Sequence, residues 1–163
     1  MKKYFDDTMH KVSAIIPVYN RSKHLADAFN SVLAQSYPVD ELIIVNDGST
    51  QEHRQKILEL VKTTSIARLI SLDKNKGTAN ARNLGAKSAS YPIIAFLDSD
   101  DTWKPDRIAR HLEVFLKTGV NISACTAEQV GSNNIVERRT LTPIRSLKDL
   151  VAGCRINPGS TLL

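Results

Sequence analysis

Three carboxylates crowd into four positions at the end of an apolar run. Asp98, Asp100 and Asp101 follow IIAFL in the segment IIAFLDSDDTWKPDRI, residues 93–108. Two like charges a few Å apart repel by up to about 4 kcal/mol at an effective dielectric constant near 20, and each raises the pKa of the other. These carboxylates therefore need screening by a metal ion, a basic side chain or solvent.

Asp98 and Asp100 form an Asp-x-Asp pair at the end of a predicted strand. Because side chains alternate along an extended chain, the two carboxylates are expected on the same side. Such a pair can hold Mn²⁺ or Mg²⁺ with coordination positions left open for substrate phosphate oxygens. The sequence has neither GxGxxG after its first strand nor GxxxxGK[ST], so a glycine-rich phosphate loop is not supported. We therefore predict a metal site that a nucleotide diphosphate completes.

Strands and helices alternate along the chain before this segment and after it. Short apolar runs predict buried strands over residues 12–18, 41–45, 67–72 and 93–97. An Ala-rich helix is expected through TANARNLGAKSA, and three other helices have apolar residues at helical spacing: Leu25, Ala28, Phe29, Val32 and Leu33; Ile57, Leu60 and Val61; Ile108, Leu112, Phe115 and Leu116. This alternation predicts an α/β fold with a doubly wound, mostly parallel sheet flanked by helices.

Two helix starts have recognisable signals. Ser22 offers an N-cap to the first helix. Pro105 suits the first turn of the fourth helix, with Asp101 or Thr102 as its cap. Trp103 either walls a site or covers the start of that helix, and the second interpretation is favoured slightly.

The pattern changes beyond Gly119. Residues 122–130 and 135–139 flank GSNN as in a β-hairpin, and a short helix is predicted from Ser146. NPGSTLL, residues 157–163, is extended and apolar. If it forms an edge strand, it could pair with another chain, which predicts a homodimer by strand exchange.

Polar residues follow all four predicted parallel strands. They are Pro17, Tyr19 and Asn20 after the first, Asp47 after the second, residues 73–77 after the third and Asp98 to Asp101 after the fourth. Any one set is explained by turn formation. Because ligands bind beyond the carboxyl ends of strands in an open parallel sheet, the four sets together favour a ligand site.

Composition narrows the class of protein. The 163 residues suit one globular domain, with 42% hydrophobic and 24% charged residues and no apolar run near the roughly 20 of a membrane span. The start of the chain lacks an apolar signal core, so a cytoplasmic location is expected. Basic residues in 103–163 are scattered, which favours a solvated face over nucleic-acid binding and leaves peripheral contact with anionic lipid open. Cys125 and Cys154 are expected to be buried thiols.

Four segments, taken in order, resemble the family 2 glycosyltransferases of the GT-A fold. They are SAIIPVYNR, SVLAQSYPVDELIIVNDGST, NKGTANARNLGAKSA and IIAFLDSDDTWKPDRI. The resemblance is close over residues 12–112, and NPGSTLL is also similar to a segment of the family. It implies one Rossmann-like GT-A domain over 1–163, with a nucleotide-binding core in 12–118 and the start of an acceptor-side region in 119–163.

The resemblance also implies roles for single residues. Pro17 and Tyr19 would line the nucleotide pocket, Asp47 would hydrogen-bond the base, Arg82 would lie near the diphosphate, and Asp98 and Asp100 would form the metal-binding DxD element. The family pattern favours Asp100 as the direct metal ligand, while Arg82 could equally be a solvated helix residue. Asn46 stands where the family often has Asp, which weakens the assignment of Asp47.

The function implied is inverting transfer of a sugar, with UDP-sugar as the expected donor, to a saccharide or lipid-linked saccharide acceptor. Bacterial surface polysaccharide or glycoconjugate synthesis is the setting that the family suggests. Family members use an Asp or Glu beyond the NPGST-like segment as general base, and no acidic residue follows Asp149 here. The general base is therefore expected beyond Leu163, with this chain as the donor-binding part of a longer enzyme.

Two alternatives stay open. The chain could be a nucleotide-binding module without catalysis, which would bind nucleotide but not turn over a donor. DSDDT, residues 98–102, also resembles the nucleophile motif of haloacid-dehalogenase-type phosphatases, in which Asp98 would attack phosphorus. That motif usually opens its fold, whereas here three strand-helix units precede it.

Overall fold

The structure, a computed structural model, describes residues 10–120, 122–125, 127–130, 136–139 and 161–162. The main strands are β1 (Val12–Val18), β2 (Glu41–Asn46), β3 (Ala67–Ser71) and β4 (Ile93–Phe96). The helices are α1 (Ser22–Leu33), α2 (Gln51–Val61), α3 (Thr78–Ser88) and α4 (Arg107–Thr118). Four short strands follow: β5 (Ser123–Ala124), β6 (Ala127–Val130), β7 (Val136–Arg139) and β8 (Thr161–Leu162).

The main sheet has the strand order β3-β2-β1-β4-β8-β5, and its first four strands are parallel. Residues of α1, α2 and α4 pack with one face of this sheet, and residues of α3 pack with the other. The order of strands along the chain therefore reverses at β1: β2 and β3 lie on one side of it and β4 lies on the other. This arrangement confirms the predicted doubly wound α/β fold.

Strand β1 is the centre of the core because every one of its residues is buried. Its side chains alternate between the two layers: Ile16 joins the cluster with α1, α2 and α4, whereas Ile15 joins the cluster with α3. Helix α3 approaches closely at Gly85, where an added Cβ would lie 2.5 Å from Cγ2 of Ile15. The small residue thus lets α3 lie directly on β1.

The amino edge of the sheet is closed around Glu41, which is 8% exposed. Its carboxylate accepts hydrogen bonds from Ser13 Oγ (2.8 Å), Ser90 N (2.9 Å), Ser90 Oγ (3.1 Å) and Arg68 Nε (2.8 Å). Burial raises the pKa of the Glu41 carboxyl, but these hydrogen bonds together outweigh it and hold the pKa below its usual range.

The helix starts differ from the prediction. The N-cap of α1 is Arg21, and Ser22 is the first helical residue, with its Oγ 2.8 Å from Nδ1 of His53. Helix α4 begins only at Arg107 and its N-cap is Asp106, so neither Asp101 nor Thr102 caps it. Pro105 lies before the helix, and its carbonyl accepts a hydrogen bond from Ser36 N–H at 2.8 Å.

The buried faces of two helices are also partly different. Leu33 and Leu116, both predicted to face the core, are 39% and 62% exposed. On α4 the polar residues Arg107 and His111 are buried instead. The His111 ring lies against Ser123 of β5, with Nδ1 2.7 Å from Oγ, so a strand that arrives later in the chain sets which face of α4 is inside.

Predictions for the last third of the chain have mixed outcomes. Strands β6 and β7 pair antiparallel, which confirms the hairpin. Strand β8 is not an edge strand, because it pairs with β4 on one side and β5 on the other. The unpaired edge from which strand exchange was expected is therefore absent at residues 161–162, and the homodimer stays a prediction. Cys125 is only half-buried, and Cys154 and the helix from Ser146 lie outside the described residues.

Candidate functional site

Strands β1 and β4 part at the carboxyl edge of the sheet. The pairing of β1 with β4 ends at Ile15 and Phe96, whereas β1 stays paired with β2 as far as Val18. Pro17, which has no N–H to donate, lies in the part of β1 beyond its pairing with β4. A switch point of this kind is where open α/β sheets bind ligands.

The three aspartates follow β4 directly but are not all extended. The N–H of Asp101 donates to the carbonyl of Asp98 at 3.1 Å and closes a turn, with Asp100 inside it. The expected alternation of Asp98 and Asp100 along an extended chain is therefore wrong. The turn instead turns the two carboxylates toward different partners.

Asp98 pairs with Arg82 of α3, which donates through its guanidinium to Oδ1. The Arg82 side chain is 18% exposed and the Asp98 side chain 25% exposed. Arg82 is therefore not a solvated helix residue, and it reaches the edge from the α3 face of the sheet. The predicted neighbourhood of Arg82 and Asp98 is present.

Asp100 pairs with Arg21, which the sequence analysis did not assign to the site. Arg21 follows Asn20, whose backbone has a φ of 53°. Asn20 is tied to the next loop, because its N–H donates to Ser49 Oγ at 3.0 Å and its Oδ1 accepts from Thr50 N–H at 2.9 Å. The available signal was the position of Arg21 at the end of SAIIPVYNR, directly past the first strand.

Asp101 is close enough to a third arginine, Arg107, to act on it electrostatically. Burial lowers the pKa of the Arg107 guanidinium, while Cys125 and Asp101 raise it. The guanidinium also lies over the ring of Trp103, 4.5 Å from its centroid. Trp103 is 7% exposed and belongs to the core cluster, so it covers the start of α4 as favoured. Each carboxylate of the opening motif thus has an arginine near it.

Asp47 is buried at 3% exposure and fastens the loop after β3. Its Oδ1 accepts from Lys76 N–H at 2.8 Å and its Oδ2 from Gly77 N–H at 2.9 Å. Gly48, with φ +72°, lets this loop approach, because a Cβ there would lie 2.4 Å from the carbonyl carbon of Lys74. A carboxylate has about four acceptor positions, so these bonds leave capacity for a base contact, which stays a prediction.

Asn46 makes use of its amide at the position where the resemblance expects Asp. Its Oδ1 accepts from Ser49 N–H at 3.0 Å, and its Nδ2 lies 3.5 Å from Ser71 Oγ. Only an amide can donate in the second contact. Tyr19 is 46% exposed at the same edge, whereas Pro17 is buried in β1.

A cavity of about 560 Å³ lies beside this edge, between the starts of α1 and α2. It is lined by residues 20–24 together with Glu52, His53 and Lys56. Arg21 therefore borders both the carboxylate turn and the cavity. The other assigned residues of the edge, such as Asp98 and Arg82, do not line it.

The donor set at the turn suits a hard divalent cation. Among the residues that the structure describes, no group of three or more His, Cys, Asp or Glu is placed to hold a metal ion. Two partly exposed aspartates, Asp98 and Asp100, supply carboxylate oxygens. Mg²⁺ and Mn²⁺ accept such a set when phosphate oxygens and water complete the coordination shell.

Comparisons with known proteins agree with this geometry. The family model "Glycosyl transferase family 2" matches residues 13–157. The putative teichuronic acid biosynthesis glycosyltransferase TuaG of Bacillus subtilis is 35% identical over 88% of this chain and 59% of its own length. The UDP-Glc:alpha-D-GlcNAc-diphosphoundecaprenol beta-1,3-glucosyltransferase WfgD of Escherichia coli is 34% identical over 88% of this chain and 57% of its own length.

Solved structures with the GT-A fold also match. The crystal structure of S. aureus TarS 1-349 in complex with UDP superposes with a TM-score of 0.61 and 27% identity, over 69% of this chain and 34% of that one. The chain thus spans between a third and three fifths of these proteins. In the described part of the chain, no helix combines the length and apolar character that crossing a membrane requires.

Proposed function

This chain belongs to glycosyltransferase family 2, and from that premise we propose that the carboxyl edge of its sheet binds a nucleotide-sugar donor, UDP-sugar. The observation that carries the proposal is that the two aspartates that follow β4 each pair with an arginine, Asp98 with Arg82 and Asp100 with Arg21. The name of a related structure, TarS with UDP, supports uracil as the base. Membership in this family sets aside the phosphatase alternative.

Different residues of the edge contact different parts of the donor. Tyr19, exposed past β1, and Pro17 border the nucleoside, and Asp47 offers its remaining acceptor capacity to the base. Arg82 lies where a diphosphate next to Asp98 would meet a guanidinium, which binds phosphate through two parallel hydrogen bonds. Each contact is made by groups that the fold already holds in place.

Asp98 and Asp100 would hold Mn²⁺ or Mg²⁺ together with the diphosphate oxygens. When bound, such an ion stabilises the charge that develops on the departing nucleotide diphosphate. Arg82 adds to this stabilisation as the glycosidic bond breaks, because its positive charge is fixed before the reaction begins. The transfer proceeds with inversion when a general base takes the proton of the acceptor hydroxyl as that oxygen attacks the anomeric carbon.

The acceptor is a saccharide or lipid-linked saccharide of a cell-surface polymer. The names of two relatives support this class, one acting on a diphosphoundecaprenol-linked sugar and one in teichuronic acid biosynthesis. With a lipid-linked acceptor, the transfer takes place at the cytoplasmic face of the membrane, and the protein is peripheral to that membrane.

Calorimetric titration of UDP with and without Mn²⁺ tests the donor site. We expect Mn²⁺ to strengthen UDP binding. Asp100→Asn should weaken UDP binding in the presence of Mn²⁺ about tenfold, or by about 1.4 kcal/mol. Asp106→Asn is the matched control, since Asp106 also pairs with an arginine, Arg110 at 2.6 Å, but on the surface of α4. Absence of UDP binding by the wild-type protein with Mn²⁺ contradicts the proposal.

Assays of donor turnover then separate an enzyme from a binding module. Binding of UDP by the protein with no turnover of any UDP-sugar would favour the module without catalysis. Turnover that is lost in Asp100→Asn supports the transferase.

A further inference from the structure

Arg21 occupies a carboxylate to which the proposed function assigns a divalent cation. Its guanidinium pairs with Asp100. A divalent cation 4 Å from a guanidinium is repelled by about 2 kcal/mol even at the dielectric constant of water. Arg21 and a metal ion therefore compete for Asp100 unless further negative charge is present.

The two arginines of this edge differ in their freedom to move. The Arg82 side chain is 18% exposed and packed between α3 and the edge, whereas the Arg21 side chain is 56% exposed. Arg21 also borders the cavity between α1 and α2, so open space lies beside it. Its backbone is fixed by the hydrogen bonds of Asn20 to Ser49 and Thr50. Only the side chain of Arg21 has to move for the pair with Asp100 to open.

We propose that Arg21 is a positioning residue that neutralises Asp100 while no donor is bound and turns to the diphosphate when donor and metal ion arrive together. This inference rests on the proposed function. The diphosphate supplies the negative charge that allows a guanidinium to stay near a divalent cation. Arg21 thus disfavours metal binding alone and favours metal binding with nucleotide, which is a coupling between two ligands.

The test measures the two ligands separately. Binding of Mn²⁺ alone is followed through the electron paramagnetic resonance signal of the free ion, and binding of UDP at saturating Mn²⁺ is followed by calorimetry. Arg21→Gln should bind Mn²⁺ alone about threefold more tightly, since exposed ion pairs contribute up to about 1 kcal/mol. The same variant should bind UDP with Mn²⁺ about threefold more weakly.

Two further variants isolate the effect. Lys23→Gln removes a positive charge two positions away, at an exposed residue that lines the same cavity, and should change neither affinity by more than about 1.5-fold. Arg21→Lys keeps the charge but loses the planar fork, so Mn²⁺ affinity should stay near wild type while UDP affinity falls. Thermal unfolding of each variant checks that it is folded.

The outcomes separate the two proposals. If wild-type protein binds UDP with Mn²⁺ but Arg21→Gln leaves both affinities unchanged, the role of Arg21 is overturned and the donor site stands. Equal shifts in Lys23→Gln, or no Mn²⁺ bound by either Arg21→Gln or wild type, also overturn it. Failure of wild-type protein to bind UDP under any condition contradicts the proposed function itself, and the role of Arg21 with it.

Discussion

The two edges of the sheet surround their carboxylates in different ways. At the amino edge Glu41 is 8% exposed and accepts hydrogen bonds from four donors on fixed neighbouring segments. At the carboxyl edge the side chains of Asp98 and Asp100 are 25% and 44% exposed, and each pairs with one arginine. The carboxylate that holds the fold together has all its hydrogen bonds supplied by the protein, whereas the two carboxylates proposed to bind a ligand keep acceptor capacity and access to solvent.

Asp47 shows that position alone does not decide the role of a group. It follows β2 at the carboxyl edge, yet it is 3% exposed and accepts two backbone hydrogen bonds, much as Glu41 does. Its loop brings Gly77, the N-cap of α3, to the edge. Asp47 therefore holds the loop that borders the proposed site.

The largest expected effect on stability is at the amino edge. Glu41→Ala leaves the buried Ser13 hydroxyl, the Ser90 N–H and Arg68 without their acceptor, and should lower the free energy of unfolding by about 4 kcal/mol. Urea denaturation measures this. The control Glu59→Ala, on the exposed side of α2, should change it by less than about 0.5 kcal/mol. A loss below 1 kcal/mol for Glu41→Ala contradicts the structural role.

Acid should destabilise the scaffold in a defined window. Burial and the charge of Arg107 lower the pKa of His111 to about 4. Between pH 6.5 and 4 the unfolded chain binds a proton at this residue and the folded chain does not, so stability falls as the pH falls, by about 3 kcal/mol over the window.

Denaturation at a series of pH values tests this prediction. His111→Asn should make the free energy of unfolding less dependent on pH, whereas the control His24→Asn, at an exposed position, should leave the pH dependence as in the wild type. Glu41 contributes separately, because its depressed pKa gives stability that is present above about pH 4.5 and lost on further acidification. A wild-type curve that is flat from pH 6.5 to 4 would contradict the burial of a neutral His111.

Two glycines at the carboxyl edge allow the cost of a steric clash to be compared with the cost of backbone strain alone. Gly48→Ala forces a Cβ against the backbone of Lys74 at φ +72°, and should destabilise by about 2 kcal/mol or more. Gly77→Ala has φ +89° but meets nothing within 4 Å, so it carries the strain alone. Chemical denaturation of both variants should show Gly48→Ala as the more damaging. Equal losses would mean that the approach of the loop to Gly48 is unimportant.

The smallest expected effects are the couplings within the two arginine pairs. A double-mutant cycle on Arg82→Gln and Asp98→Asn should give a coupling of about 1 kcal/mol in unfolding free energy, and the more exposed pair of Arg21 and Asp100 about 0.3 kcal/mol. The reverse order would contradict the view that Arg82 is fixed and Arg21 is free to move.

The sequence predicted the scaffold and most of the edge for simple reasons. Apolar runs of strand length mark β1 to β4, and parallel strands bring their carboxyl ends together, so Asp98 and Tyr19 could be assigned to one region. Arg82 was assigned through the family resemblance. The partner of Asp100 could not be predicted, because Arg21 lies 79 positions away and nothing local selects one arginine over another. The inner face of α4 was also missed, since burial of His111 depends on Ser123 of β5.

One measurement tests the contrast between the edges most directly. UDP affinity at saturating Mn²⁺ and the free energy of unfolding are compared for two isosteric variants, Asp98→Asn and Glu41→Gln. We expect Asp98→Asn to weaken UDP binding about tenfold, or about 1.4 kcal/mol, and to lower the free energy of unfolding by no more than about 1 kcal/mol, the coupling expected for its pair with Arg82. Glu41→Gln should lower stability by about 2 kcal/mol with UDP affinity unchanged. Loss of UDP binding in Glu41→Gln, or unchanged binding in Asp98→Asn, would contradict it.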